Sequence, residues 1–493
     1  MSFLLDNKYL QQILLLLICI VLGVVASYQP LALASFVVVA LCILITSASP
    51  ITVLAFMLIL APLRTLIATE SAIQLPLDIG QITFVGAILT WFFHRAIQHQ
   101  KPLKFPDSPI LLAVGAFTIA VGLTAFSALS IQFWITEWLK WVTVIIMIIL
   151  TLDLGHARRW EMIVGVLVAS GLANAIVGLY IFFGGSGADH LLINNRFFRA
   201  FGTFGQPNPF GGFLGILLPI ALMASYAYLM QIWNHWRLNQ KIETVTFLKL
   251  SYFSLASAVM LAGIIASWSR GAWLGFVVSV AVMAFCLPRK IWQSIGLLGI
   301  TISLVGILWF AGVIPASIQQ RVLSSTEELF SFSDVRGVDV THVNYAIVER
   351  LAHWQAAINM AENNPWLGVG LGNYEVAYNQ YRLINWEFPL GHAHNYYLNI
   401  LGEAGIIGFL FYVLMWLTIV IITWKNRSHP DLLARSINIG IMGSWAYFSF
   451  HSLLDNLYVN NLFLHFGVIL GLVALFQNQL RKSIQWGTYV SSK

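Results

Sequence analysis

The sequence predicts an all-α polytopic membrane protein of about 14 transmembrane helices, with a large, partly helical loop on its outer face. Three observations carry this. Of 493 residues, 59% are hydrophobic and only 9% charged, with a mean hydropathy of +0.80, whereas a soluble domain is nearer a quarter charged. Apolar runs long enough to cross the hydrocarbon core recur along the chain. The charged residues collect in clusters between those runs and in one long polar stretch. The composition excludes a soluble enzyme, a disordered chain and a nucleic-acid binder. The net charge of +6 is the expected imprint of cytoplasmic loops rather than of a nucleic-acid partner. Cys19, Cys42 and Cys286 all lie in apolar runs, so no disulfide framework is expected.

In order, the expected spans are 10–28, 31–48, 50–67, 79–95, 109–129, 131–151, 161–184, 209–230, 247–268, 271–287, 292–314, 397–424, 434–453 and 458–477. The first is too long for the apolar part of a cleaved leader, and further spans follow it at once. Basic residues cluster at Arg95/Lys101/Lys104, Arg158/Arg159, Arg237/Lys241/Lys249, Arg289/Lys290, Lys425/Arg427/Arg435 and Arg481/Lys482. With both termini inside, every one of these clusters falls on the cytoplasmic side without inverting a span. The organisation expected is 1–190 as N-terminal spans, 191–314 as spans with arginine-bearing outer loops, 315–396 as an outer loop region and 397–493 as C-terminal spans.

Two outer stretches are long, 185–208 and 315–396. In the second, Val343, Ile347, Leu351, Trp354 and Ile358 recur at helical spacing, predicting a helix over 342–362 that Pro365 and the glycines of PWLGVGLGNY end. Its aromatics between 354 and 386 could stack on sugar rings or form the loop's own core. No inverted pair of interrupted spans, of the kind transporters use, is evident.

Outer-face arginines run against the topological bias. Arg270, in SWSRGAW, sits between two apolar spans. It either snorkels to lipid headgroups or a carboxylate, or it is a fixed cation for an anionic substrate group. Arg196 and Arg199, three apart in NNRFFRAFGTFGQPNPFGG, could share one face of a short helix or belong to an interfacial aromatic belt. Guanidinium groups match phosphate oxygens in bidentate fashion, which lysine does not. Further on, GHAHNYYLNILGEAGIIG carries His392, His394, Asn395 and an intramembrane Glu403. The histidines allow a metal site, with His342 and His353 as further ligands at no recognisable spacing. They also allow a structural helix end, or a general base.

Four pieces in order, RAFGTFGQPNPFGG, SRGAWLGF, ERLAHWQAAINMAENNPWLGVGLGNY and HAHNYYLNILGEAGIIGFL, cover roughly residues 196–415. In them the chain resembles the O-antigen ligase/polymerase family of bacterial polysaccharide membrane glycosyltransferases. The resemblance implies a GT-C-like inner-membrane enzyme, without metal or cofactor, whose active site faces the periplasm. It implies a polyprenyl-pyrophosphate-linked glycan donor and a glycan, lipid or protein acceptor. The family's pyrophosphate-binding arginines correspond to Arg199, with Arg196 less closely, and to Arg270; its histidine corresponds to His394 and less closely to His392. Arg350 matches a periplasmic-helix arginine that could contact substrate. Asn395 directly follows the histidine, and Glu403, by its place in the apolar helix rather than by the resemblance, either orients the histidine region or packs the helix. About 14 spans exceed the dozen or so that such a ligase would have. An anion or sugar transporter is the alternative from another class, and a pathway through Glu137 and Lys140 would favour it.

Overall fold

The computed structural model describes residues 49–70, 77–97, 107–184, 187, 189–193, 196–312, 316, 319–320, 323, 334–341 and 344–491. The expected spans at 10–28 and 31–48 lie outside the described residues. The chain divides into two compact units, residues 1–57 with 82–102, and residues 58–81 with 103–493. In the first, the described residues from Pro50 onward are helical, and Thr90 returns its hydroxyl to the Gly86 carbonyl at 2.8 Å.

The helices are α1 (Pro50–Leu60), α2 (Arg64–Glu70), α3 (Ile79–Ile97), α4 (Pro109–Gly122), α5 (Ile131–Leu154), α6 (Trp160–Gly184), α7 (Pro207–Arg237), α8 (Thr244–Ala266), α9 (Arg270–Cys286), α10 (Ile291–Phe310), α11 (Tyr345–Asn363), α12 (Tyr374–Tyr381), α13 (Tyr396–Asn426), α14 (Leu432–His451) and α15 (Leu462–Ser491). Each expected span from 50–67 onward coincides with helix. Nine of these helical segments, among the described residues, are long and apolar enough to cross a membrane; α9 is shorter, at 17 residues. The fold is all-α and polytopic, as the hydropathy requires. The apolar surface of a membrane bundle gains little from meeting another apolar surface, so close packing of small residues carries helix association. Here α7 packs on α14 and α8, α9 on α14, α15 on α5, and α13 on α4 and α11. A side chain at Gly215 of α7 would overlap the Tyr447 ring of α14, and the Tyr447 hydroxyl donates to the Gly211 carbonyl at 2.7 Å.

One feature differs from expectation, and one choice left open is decided. Arg196 and Arg199 do not share a helix: Leu192–Ile193 (β1) pairs antiparallel with Phe197–Phe198 (β2), so Arg196 sits in the turn and Arg199 leaves the second strand. Consecutive aromatic residues suit an extended ribbon better than a helix. The loop's aromatics divide by position. Trp354, Tyr374 and Tyr378 are buried and form the loop's own core, whereas Trp366 is exposed.

The loop is anchored at a break in α13. Gly405 has φ 62° and ψ −167°, a conformation essentially reserved for glycine. The carbonyls that this break leaves free inside the helix are taken up by the glycine loop that follows α11. Val369 N–H donates to Gly402 O at 3.0 Å and Gly370 N–H to Glu403 O at 2.9 Å, while Ile406 N–H donates back to Pro365 O at 2.7 Å. Buried backbone groups are thereby paired.

Candidate active site

Three turns at one end of the helices meet in the second unit. The first precedes α9. Ser269 caps that helix by accepting from Ala272 N–H at 3.4 Å, which fixes Arg270 as its first residue. Arg199 reaches the same turn: its Nε donates to Ser267 O at 3.0 Å, and its Nη2 lies 3.5 Å from Asn208 Oδ1. Arg196 is exposed, its guanidinium 4.9 Å from the centre of the neighbouring Phe197 ring.

The second turn follows α14. Gly271, next to Arg270, lies directly against His451 of α14, so a side chain there would come within 2.5 Å of the imidazole Cδ2. One helical turn on, Asp455 N–H donates to His451 O at 3.1 Å, and the buried Asp455 carboxylate accepts from Asn456 N–H at 2.9 Å.

The third turn leads into α13. Asn395 caps it, accepting from Tyr397 N–H at 3.1 Å and Leu398 N–H at 3.2 Å, and Tyr396 N–H donates to Ser452 O at 2.8 Å. That bond ties the histidine segment to the turn holding Asp455. His394 Nδ1 lies 3.4 Å and His392 Nε2 3.6 Å from Asp455 Oδ1. His394 adopts φ 53°, the left-handed region that a β-substituted residue avoids; strain of this kind is found where a side chain must be aimed.

The two imidazoles are not equivalent. His392 Nδ1 accepts from the His394 backbone N–H at 3.0 Å, so both its nitrogens are engaged, one by this bond and one by the carboxylate. Burial pushes His392 down to about 4, with His394 and Arg350 acting in the same direction against the pull of Asp455. For His394, Nδ1 facing the carboxylate favours the tautomer whose Nε2 can accept a proton. Burial alone would raise the Asp455 carboxyl. The surrounding imidazoles of His394, His392 and His451 outweigh it and hold the group well below the usual range, as a carboxylate. Arg350 of α11 acts electrostatically on both His392 and His451.

His353 and Tyr374 support the cluster from the loop. The Tyr374 hydroxyl donates to His353 O at 3.2 Å and lies 2.8 Å from His353 Nδ1, so Nδ1–H is the donor of that second bond. The buried His353 ring stacks on Tyr378 and meets the His394 ring edge-on at 5.9 Å. The Glu403 carboxylate accepts from the Tyr374 and Gly372 backbone N–H groups at the start of α12, the former at 3.0 Å. It also bonds to Asn399, whose Oδ1 accepts from Ala393 N–H at 3.0 Å in the histidine segment.

Ligand atoms of His392, His394 and Asp455 all lie within 4.8 Å of one another, a set that could hold a metal ion. His342 lies outside the described residues, and His353 Nδ1 is bonded to Tyr374. Glu137 and Lys140 pair with each other, and Glu137 packs where a side chain at Gly372 would stand. Sequence reasoning missed Asp455 and His451. The only signal was a lone acidic residue in the short outer turn HSLLDN.

A family model described as O-antigen ligase matches residues 255–413, which contain Arg270, Arg350, His392, His394 and Glu403. An uncharacterized protein of Haemophilus influenzae is 21% identical over 241 residues, 48% of this chain. The chain spans 58% of that relative's length. Over residues 255–413 the chain is thus similar to the O-antigen ligase family.

Proposed function

We propose that the protein transfers a glycan from a polyprenyl-pyrophosphate donor to an acceptor hydroxyl on the outer face of the bacterial inner membrane, with inversion and without metal. The observation that supports this most is the continuous path of contacts from Arg199 through the Ser267–Arg270 turn to His451, Asp455 and His394. The donor's anomeric carbon is bonded to a phosphate oxygen. As that bond breaks, its electron pair goes to the diphosphate, and Arg199 and Arg270 stabilise the growing charge more than the ground state. The acceptor oxygen attacks from the opposite face and gives its proton to His394 Nε2, while Asp455 stabilises the imidazolium. Pyrophosphate leaves without a protein acid. Arg196, Arg350, His392 and Asn395 line the approach to this centre.

The lipid part of the donor has an apolar place to lie. A cavity of about 580 Å³, lined by Ile264, Trp273, Val277, Leu308 and Trp309 among others, opens between α8, α9 and α10 beside the Arg270 turn.

Purified protein with a polyprenyl-pyrophosphate-linked glycan and acceptor tests the proposal. His394→Ala is expected to lower transfer by about 10²–10⁴-fold, the usual worth of a general base; transfer at the wild-type rate would sink it. The spacing of His392, His394 and Asp455 also favours a second reading, an open metal site with three protein ligands. Chelator is expected to leave the rate unchanged. Loss of transfer that zinc restores would replace the base with a metal centre.

A further inference from the structure

The opposite ends of α9, α13 and α14 carry a second arginine cluster, far from the histidines. Helix α9 alone, 17 residues at about 1.5 Å rise each, separates it from Arg270 by about 25 Å. Phe285 of α9 stacks on Trp424 of α13, with ring centres 5.9 Å apart. Arg435, in the first turn of α14, donates from Nη2 to Leu287 O at 2.8 Å. Arg427 lies over the Trp424 ring at 3.7 Å. Arg289 and Arg427 both act electrostatically on Arg435, so three guanidinium groups share one small region.

Segments 287–291 and 424–435 hold Arg289, Lys290, Lys425, Arg427 and Arg435 against a single acid, Asp431. That acid is already used: its Oδ2 is 3.2 Å from Arg158 Nη1, and its Oδ1 caps α14 through Ala434 N–H at 2.8 Å. Two buried guanidinium nitrogens, Arg427 Nη1 and Arg435 Nε, have no hydrogen-bond acceptor among the described residues. A buried, charged donor left unpaired is costly. Arg435 also stands at a helix N-terminus, where the helix dipole disfavours a cation and favours an anion. The cluster therefore has the donors, the charge and the position of an anion site that protein groups do not fill.

We propose that Arg289, Arg427 and Arg435 bind a phosphate group at this face, carried by an anionic lipid headgroup. Phosphate offers several acceptor oxygens and matches guanidinium forks. Three helices end here, and basic pockets between helix ends on the cytoplasmic side suit headgroup phosphates. The proposal is independent of the transfer chemistry at the other face.

The test uses the full-length protein in neutral detergent, titrated with phosphatidylglycerol, phosphatidylcholine or inorganic phosphate while its unfolding temperature is followed. Phosphatidylglycerol is expected to raise the wild-type value, and phosphatidylcholine to leave it unchanged. Arg427→Gln and Arg289→Gln should each require about fivefold more phosphatidylglycerol for the same rise, the effect of roughly one basic contact. Arg289 is exposed, so its variant should fold even if changes at Arg435 do not. Arg237→Gln, an exposed arginine elsewhere on this face, is the control and should not shift the titration. Equal protection by inorganic phosphate would overturn the lipid source and keep the phosphate site. Equal titrations in wild type, Arg427→Gln and Arg289→Gln, or an equal shift in Arg237→Gln, would overturn the site itself.

Discussion

In the proposed transfer, Asp455 sets which nitrogen of His394 faces the carboxylate, and so which one takes the proton. Asp455→Asn removes the charge that stabilises the imidazolium but keeps the shape. It should lower kcat by about 10–100-fold, less than loss of the base itself, with little change in KM for the donor. Asp455→Glu should recover part of the rate. A proportionate rise in KM with kcat intact would assign Asp455 to substrate binding instead. Protonation also touches stability. His353 and His392 are held down to about 3 and about 4, chiefly by burial. Below pH 6.5 the unfolded chain therefore binds protons that the folded one refuses, and stability falls as pH falls toward 4, by up to about 1.4 kcal/mol per pH unit for each histidine. Asp455, depressed below 3.8, adds nothing to that window. The unfolding temperature should drop between pH 7 and pH 5, and His353→Gln should flatten the slope; a temperature independent of pH would contradict this assignment. At this scale the sequence was half legible. His394, Arg199 and Arg270 sit in patterned motifs, but Asp455 and His451 have no fixed spacing to them. Only the approach of α14 to α9 and α13 brings them in.

Among the elements, the break in α13 matters most for the site, because it seats the loop that carries His353 and Tyr374. Gly405 is held in a glycine-only conformation, and an added Cβ would stand 2.4 Å from the Trp366 carbonyl carbon. Gly405→Ala should therefore cost about 2–3 kcal/mol or more, seen as a large fall in unfolding temperature or in recovered protein. Gly115→Ala, helical and with open space around it, should be neutral or slightly stabilising. Similar effects at both positions would argue against the docked loop. The sequence showed the helix of the loop and its end at Pro365, since period and turn residues are local. It could not show that the glycine run docks into a gap in another helix, because that pairing is between backbones. Glu403 illustrates the same limit. An intramembrane carboxylate announces a special place, but only the fold shows it bonded to the start of α12 and to Asn399. The Arg196–Arg199 segment failed for a different reason: a spacing of three fits a helix, and a two-residue ribbon leaves almost no periodic signal.

At the scale of the whole molecule, hydropathy made the fold legible because a bilayer admits few architectures. Charge bias predicts an orientation. Glu387, exposed in the loop, is expected outside, and Arg237, exposed at the end of α7, inside. A cysteine placed at Glu387 should react with an impermeant thiol reagent on intact cells, and one at Arg237 only after the membrane is opened. The reverse pattern would move the site to the cytoplasm. The central claim is that arginines from separate turns hold the diphosphate while His394 performs the proton transfer. Binding of polyprenyl pyrophosphate to purified protein separates the two roles most directly. Arg199→Ala and Arg270→Ala are expected to weaken binding about tenfold or more each, roughly 1.4 kcal/mol or above, while His394→Ala binds as wild type and does not transfer. Wild-type affinity in both arginine variants would contradict the account.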